Sequence, residues 1–152
     1  MRRPHDERGA LGGIEGMAFG ILVFVIGTLV VVDAWGVVDA KMATSSGARE
    51  AARAYVEGPS QQGALRDANQ AVAVAMNGRR TRSWQLTVRN ANGSAGYDRC
   101  GQVVAEVSTD LARVPLPLLR RAAGTFRIQS SHTEVVDPYR AGIPGTAKCD
   151  QP

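Results

Sequence analysis

The sequence predicts an α+β protein: a long N-terminal transmembrane helix that continues into an amphipathic helix packed on a small antiparallel β-sheet. Three observations predict it. Residues 16–32 contain no charged side chain. Helical spacing of apolar residues then continues to about residue 57, and stretches downstream of residue 84 alternate apolar with polar side chains, as strands with one buried face do. About 100 residues follow the apolar segment, which suffices for one domain.

The apolar segment is bounded by Glu15 and Asp33, and with residues 33–38 included it covers about 34 Å of helix, enough to cross a bilayer. A cleaved secretory signal would have a shorter apolar core and a small-residue cleavage motif. A buried helix of a soluble protein would have a polar face, whereas Thr28 is the only polar residue in 16–32. We therefore expect a retained transmembrane helix.

The segment divides the chain into three parts. Residues 1–13 are predicted to be a cytoplasmic leader-like segment, residues 14–38 the transmembrane helix, and residues 39–152 an extracytoplasmic α+β domain. Basic residues are nearly balanced across the helix, so the positive-inside rule leaves the orientation open. The short N-terminus and the location of both cysteines in the C-terminal part favour an N-terminus inside and a C-terminal domain outside.

Helical periodicity continues past the membrane segment. The predicted apolar face of this second half consists of Val38, Met42, Ser45, Ala48, Ala52, Tyr55 and Val56. Charged residues occupy the opposite face, and Gly58 followed by Pro59 ends the pattern. One helix is therefore predicted from about residue 14 to residue 57, and its second half must pack against something.

A second helix is predicted over residues 61–77. Ser60 can cap its N-terminus, and Gly78 can terminate it. Its predicted apolar face consists of Leu65, Ala68, Val72 and Met76.

Three strands are predicted next. The first has Trp84, Leu86 and Val88 on one face; the second has Val103, Ala105 and Val107; the third runs from Phe126 to about Val136.

The segments between these strands have turn or loop sequences. Residues 90–96 are rich in Asn and Gly and predict a turn. Residues 114–119 (VPLPLL) contain two prolines and predict an apolar loop. Residues 138–152 are rich in Pro and Gly and predict an extended tail.

The two cysteines, Cys100 and Cys149, both follow the apolar segment. If this part is exported, a disulfide between them is expected, and two free thiols are the alternative. A zinc site is not expected, because the only histidines, His5 and His132, lie on opposite sides of the predicted membrane helix.

No catalytic motif is present, so we expect no enzymatic activity and no cofactor. The H-x-E pattern of His132–Glu134 matches half of a zinc deaminase signature, but the required P-C-x-x-C is absent. A net charge of +4 is mild. The densest basic stretch is Arg79, Arg80 and Arg82, which predicts solvated charge at a turn, and nucleic acid is not an expected partner.

Glu15 is the most informative residue of the apolar helix. A carboxylate at the edge of a membrane helix carries a desolvation cost unless it is solvated or paired. One interpretation places it at headgroup level in contact with water. The other pairs it with a positive charge inside an assembly of parallel helices, for which a free N-terminal ammonium a few residues upstream would be suitable.

These residues resemble the TadE-like family of tight-adherence pilus proteins, which are related to type IV pilins. The segment R-G-A-L-G-G-I-E (residues 8–15) is similar to the family's R-G-x-x-x-V-E-F. The segments V-V-D-A-W-G (residues 31–36) and A-R-E-A-A-R-A (residues 48–54) are similar to its acid near the end of the span and its A-A-R-E-G-A-R stretch. The alternating strands and proline-bearing loop of residues 103–136 are similar in architecture only.

The resemblance implies a pilin-like fold and leader removal by a prepilin peptidase, with Glu as the fifth mature residue. Counting back from Glu15 makes Leu11 the first mature residue and Ala10 the last residue of the leader, where the family usually has Gly. A cut after Gly9 would make Glu15 the sixth residue. Gly16 also occupies a position that is usually aromatic in the family.

The sequence therefore predicts a minor pilin or pseudopilin-like protein of the cytoplasmic membrane. Its expected partners are the membrane, other pilin subunits, the pilus assembly machinery and a prepilin peptidase. One alternative is a single-pass envelope protein whose outer domain binds a protein partner. A less favoured one is capture of DNA at the surface by the arginines near residue 80.

Overall fold

A computed structural model describes residues 8–79, 83–91, 97–112, 125–146 and 148–149, with side chains from Glu15 onward. Two helices, α1 (Arg8–Glu57) and α2 (Gln61–Met76), are followed by three strands, β1 (Trp84–Asn90), β2 (Gln102–Ala112) and β3 (Thr125–Val135). The strands form one sheet in the order β1-β2-β3, and both neighbouring pairs are antiparallel. The predicted α+β class is confirmed.

Helix α1 is a single helix of 50 residues, about 75 Å long. It begins at Arg8, earlier than the predicted residue 14. It ends at Glu57 as predicted, because the chain turns sharply at Gly58: a Cβ on this glycine would lie 2.4 Å from Cα of Ala64 in α2. A side chain at this position would therefore collide with the second helix.

The second half of α1 packs on β2 and β3 through small side chains. Ala48, Ala52 and Tyr55 are buried, which confirms that part of the predicted face. Val38 and Met42 were expected on the same face but are 49% and 56% exposed, so this part of the prediction was wrong. The sheet and the second helix, α2, lie instead on the side formed by the smallest residues. The buried residues of this side are Ala40, Ala43, Thr44, Gly47, Ala48, Ala51, Ala52 and Tyr55.

A polar contact at the centre of this interface aligns α1 with β3. The buried hydroxyls of Thr44 and Ser130 share a hydrogen bond of 3.0 Å, and Thr44 Oγ1 also donates to the carbonyl of Ala40 at 3.0 Å. Lys41 Nζ donates to the carbonyl of Gln129 at 2.5 Å. Buried hydroxyls need such partners, so these contacts favour one register between the helix and the strand.

Helix α2 folds back along α1 and is capped as predicted. Ser60 accepts a hydrogen bond from the Gly63 amide at 3.3 Å, and Gly78 adopts a φ of 72° just beyond the helix end. Its buried residues are Gly63, Ala64, Ala68, Val72 and Met76. Leu65, predicted on the same face, is exposed, whereas its neighbour Ala64 is fully buried next to Gly58.

The three strands follow the predicted alternation. In β2, Val103, Ala105 and Val107 are fully buried beneath the helices, whereas the residues between them are partly exposed. The outer face of the sheet is polar and carries the exposed ion pair between Arg127 and Asp110 at 3.3 Å. Residues 92–96 and the predicted apolar loop of residues 114–119 lie outside the described residues.

The C-terminal tail was predicted to be extended, and the structure corrects this. Its described residues form successive turns, and Ile143 is buried in the main core cluster. Cys149 is joined to Cys100 in a disulfide with a Cα–Cα distance of 5.2 Å. Closing the 49-residue separation contributes about 4 kcal/mol to stability in the chain-entropy treatment. The tail can fold back because the disulfide and the buried Ile143 both hold it.

The C-terminal end of α1 is capped by a side chain from the loop between β1 and β2 and by one from the C-terminal tail. Tyr97 Oη lies 3.1 Å, 3.3 Å and 2.7 Å from the carbonyl oxygens of Tyr55, Val56 and Gly58. The guanidinium of Arg140 donates to the carbonyls of Val56 and Glu57. The Tyr97 hydroxyl has one proton to share among its three acceptors, of which the Gly58 carbonyl is nearest. Arg140 supplies donors to the carbonyls of Val56 and Glu57 at the end of the helix.

The Tyr97 hydroxyl makes the stability of this helix end depend on pH. Burial raises the pKa of Tyr97 above its ordinary value near 10. The neutral form is therefore favoured in the folded state, and only that form can donate to the carbonyls. A folded pKa above the unfolded value means that the stabilisation is complete below about pH 10 and is lost as pH rises through the folded pKa.

We expect Tyr97→Phe to lower the free energy of unfolding of the α+β domain by about 1 to 3 kcal/mol, because the buried carbonyl of Gly58 loses its donor. The loss of stability above about pH 10 should also become less steep than in the unmodified protein. Urea unfolding of the full chain in detergent between pH 7 and pH 11 measures both effects. Tyr139→Phe is the control, since Tyr139 is 82% exposed; equal behaviour of the two variants would contradict the assignment.

Candidate functional site: the exposed surface of helix α1

The first half of α1 presents large apolar side chains that no described part of the chain covers. It is the one helix in the described residues that is long and apolar enough to cross a membrane, with a mean hydropathy of 2.5 over its most apolar 18 residues and none of that window buried. Phe19, Phe24 and Trp35 are exposed. An apolar surface of this extent is typical of a helix that spans a membrane.

Glu15 and Asp33 bracket this surface. They are separated by 18 positions, about 27 Å along the axis, which is close to the thickness of a bilayer hydrocarbon core. Eighteen positions also make five whole turns at 3.6 residues per turn, so both carboxylates lie on one side of α1. Among the residues whose side chains are described, Glu15 is exposed and has no ion-pair partner.

Gly9, Ala10 and Leu11, the predicted processing positions, lie in the first turns of α1. Their backbone continues without interruption into the segment that carries Glu15. Residues 1–7 lie outside the described residues.

Three glycines make the apolar segment of α1, residues 16–32, locally narrow. A Cβ added at Gly16, Gly20 or Gly27 would meet nothing within 4 Å. Gly16 and Gly20 are four residues apart, the small-xxx-small spacing that lets two membrane helices approach closely. This spacing is visible in the sequence itself, but it was not among the predicted features. The hydroxyl of Thr28 needs no partner from another chain, because it donates a hydrogen bond to the Phe24 carbonyl of its own helix at 2.9 Å.

The exposed apolar stripe extends beyond the membrane segment. Val31, Trp35, Val38 and Met42 follow one another at spacings of three or four residues and are all exposed. Beyond Met42 the same side of the helix becomes polar. The stripe therefore lies on a side of α1 away from the sheet, which explains why Val38 and Met42 do not contribute to the core.

The other residues singled out in the sequence are His132, Glu134 and the arginines near residue 80. His132 Nε2 lies 3.2 Å from Glu134 Oε1 on partly exposed positions of β3. Within the described ranges, no three His, Cys, Asp or Glu side chains are grouped in a way that could hold a metal ion. Arg79 forms an ion pair with Asp39, while Arg80 and Arg82 lie outside the described residues.

We expect Val25→Arg, at the centre of the apolar segment, to disfavour membrane insertion by about 2.5 to 3.5 kcal/mol, since an arginine there must be placed in hydrocarbon. The fraction of the protein that resists alkaline extraction from membranes should fall sharply. Val74→Arg is the matched control, because Val74 is an exposed valine on α2. Equal extraction of both variants would exclude residues 16–38 as a membrane span.

Comparison with known proteins identifies no relative. No family model, no curated protein and no solved structure matches this chain. The functional assignment therefore rests on the surface of α1, on the fold attached to it, and on the sequence similarities around Glu15 and Asp33.

Proposed function

We propose that this protein is a minor pilin or pseudopilin-like component of a tight-adherence, type IV-related pilus. In this proposal α1 crosses the cytoplasmic membrane with its N-terminus inside, and the α+β domain lies outside. The observation that carries the proposal is the continuity of α1: a helix with no buried residue in its apolar half runs without a break into the core of a small domain. Such a helix can exchange lipid for the helices of other subunits without refolding.

Glu15 supplies the second argument. A carboxylate in an array of packed apolar helices needs a positive partner, because the desolvation of an unpaired charge is costly. Leader removal after Ala10 would create an ammonium group on Leu11, four residues or about 6 Å before Glu15 along the axis. A neighbouring subunit displaced by about 6 Å along the axis would therefore bring its N-terminus level with Glu15.

The shape of the helix supports close packing. Gly16 and Gly20 allow another helix to approach the backbone of α1 near the carboxylate. The exposed stripe from Val31 to Met42 provides further apolar contact where the helix leaves the membrane. The fold, a long helix packed on a small antiparallel sheet, agrees with this role.

A second candidate function is that of a single-pass envelope protein whose outer domain binds another protein. The exposed Val38 and Met42 favour it, because they lie beyond the predicted span and could contact a partner outside the membrane. Capture of DNA is less well supported, because the described arginine of the basic stretch, Arg79, is already paired with Asp39.

We expect Glu15→Ala to abolish or strongly reduce incorporation into pili while leaving membrane insertion unchanged or slightly improved, because it removes a carboxylate whose only role is pairing in the assembly. Pilus preparations and membrane fractions from the producing cell measure the two quantities. Glu50→Ala is the control, an exposed acid on the same helix outside the apolar segment. Normal pilus incorporation of Glu15→Ala would favour the second candidate function.

We expect the mature protein to begin at Leu11, or at Ala10 if the cut follows Gly9. Mass spectrometry of the N-terminal peptide from the assembled protein distinguishes these two sites. A chain that retains Met1 or begins at Arg2 would count strongly against processing by a prepilin peptidase.

A further inference from the structure

The C-terminal tail is held by one turn of the domain, residues 98–101. The amide of Arg99 donates a hydrogen bond to the carbonyl of Pro144 at 2.9 Å, and the amide of Cys100 donates to the carbonyl of Val136 at 3.0 Å. The disulfide of Cys100 adds a covalent link to the end of the tail. The same turn therefore contacts the tail where it begins, in its middle and near its end.

Cys100 has a backbone conformation that a residue with a side chain disfavours. The Gly101 amide donates to the Asp98 carbonyl at 3.1 Å, which makes Cys100 the third residue of a β-turn. Its φ is 61°, the one positive φ of a non-glycine residue in the described part of the chain. Glycine or asparagine is usual at such a position, because a β-carbon is crowded there. A cysteine that keeps this conformation needs compensation from its surroundings, and the disulfide supplies it.

The disulfide is accessible to solvent from the side of Cys149. Cys149 is exposed, whereas Cys100 is partly buried. Cys100 Sγ also lies 3.7 Å from the carbonyl oxygen of Thr146, to which the thiol formed on reduction can donate a weak hydrogen bond. Access to a sulfur decides where an external thiolate attacks a disulfide, so attack at Cys149 is favoured.

The docked tail completes the core and the end of α1. Ile143 is buried in the main core cluster, and Arg140 donates to the carbonyls of Val56 and Glu57. These contacts must order about 13 residues that follow Val136. Closing a loop of this length without a covalent link lowers the docking equilibrium by a factor of about 100 in the chain-entropy treatment. Loss of the disulfide should therefore release the tail, while the ladders of the sheet, which lie outside the tail, stay formed.

We propose that the disulfide between Cys100 and Cys149 is a reversible redox switch, opened by a dithiol reductant, that determines whether the C-terminal tail is docked. In the oxidised form the tail covers the end of the core. In the reduced form Ile143 is exposed and the end of α1 loses the donors of Arg140. The inference concerns the α+β domain alone, and it is independent of any role in a pilus.

The chemical step is thiol–disulfide exchange. A thiolate of the reductant attacks Cys149 Sγ, a new S–S bond forms between the two, and Cys100 Sγ leaves with the electron pair of the broken bond. The second thiolate of the reductant then attacks the reductant's own sulfur in this mixed disulfide, which releases Cys149. Both cysteine thiolates take up a proton from water, and the reductant is oxidised to its cyclic disulfide by loss of two electrons.

Amide hydrogen exchange of the full chain in detergent tests the switch, with the disulfide intact and after reduction by dithiothreitol. We expect the Arg99 amide, whose acceptor lies in the tail, to exchange ten to a hundred times faster after reduction. The amides of Ala105 and Val107, in the centre of the sheet, should keep their protection. Unchanged exchange at Arg99 would overturn the proposal, and so would equal acceleration at all three amides, since the disulfide would then stabilise the whole domain uniformly.

Variants without the disulfide test the contribution of the turn. Cys149→Ser should release the tail as reduction does. Adding Cys100→Gly to it should slow exchange at Arg99 at least threefold, because glycine accepts a positive φ. Adding Asp98→Gly is the matched control, since it places a glycine in the same turn at a residue without a positive φ, and it should restore no protection. Equal effects of the two glycines would overturn the role given to the backbone of Cys100.

The sulfur that is attacked can be identified with a monothiol. Brief treatment with glutathione, followed by alkylation with iodoacetamide and peptide mass spectrometry, should find glutathione on Cys149 and the alkyl group on Cys100. The reverse labelling would contradict the assignment of Cys149 as the accessible sulfur.

Discussion

Direct packing of the sheet on the alanine- and glycine-rich face of α1 is the contact on which the rest of the structure depends. A Cβ on Gly47 would already touch Val72 of α2 and Val107 of β2, so larger residues on this face would push these elements apart. Small side chains let the helix backbone lie close to both. The hydrogen bond between Thr44 and Ser130 then selects one register within an interface that has few large side chains to interlock.

This contact joins the domain directly to the apolar half of α1, with no loop between them. Because α1 is one helix from Arg8 to Glu57, its apolar half and the core of the domain belong to the same rigid element. The ion pair between Arg79 and Asp39 holds the end of α2 near the point where α1 leaves the predicted span. Any partner that packs on the first half of α1 therefore also sets the orientation of the sheet, which is a useful property for a subunit of an ordered assembly.

The C-terminal end of α1 is stabilised by residues that are distant in sequence. Tyr97 and Arg140 supply donors to its last carbonyls, and Tyr55 packs edge-to-face on Tyr97 with ring centroids 5.3 Å apart. The disulfide of Cys100 and Cys149 keeps the tail that carries Arg140 close to this end. The domain thus compensates for its few large core residues by satisfying the polar groups at the helix terminus.

The sequence by itself determined the elements: the apolar span with its bounding acids, the stop at Gly58, the Ser60 cap and the alternation of the strands. These are local properties, since they depend on hydrophobic period, capping chemistry and turn residues within a few positions. Tertiary structure decided which side of α1 is buried, because Val38 and Met42 fit the helical period as well as Ala43 does. Only the close approach of the sheet to the helix excludes these two larger side chains from the core. It also decided the fold of the tail and the donors at the end of α1. Those contacts join residues 39 to 84 positions apart, and no local pattern encodes them.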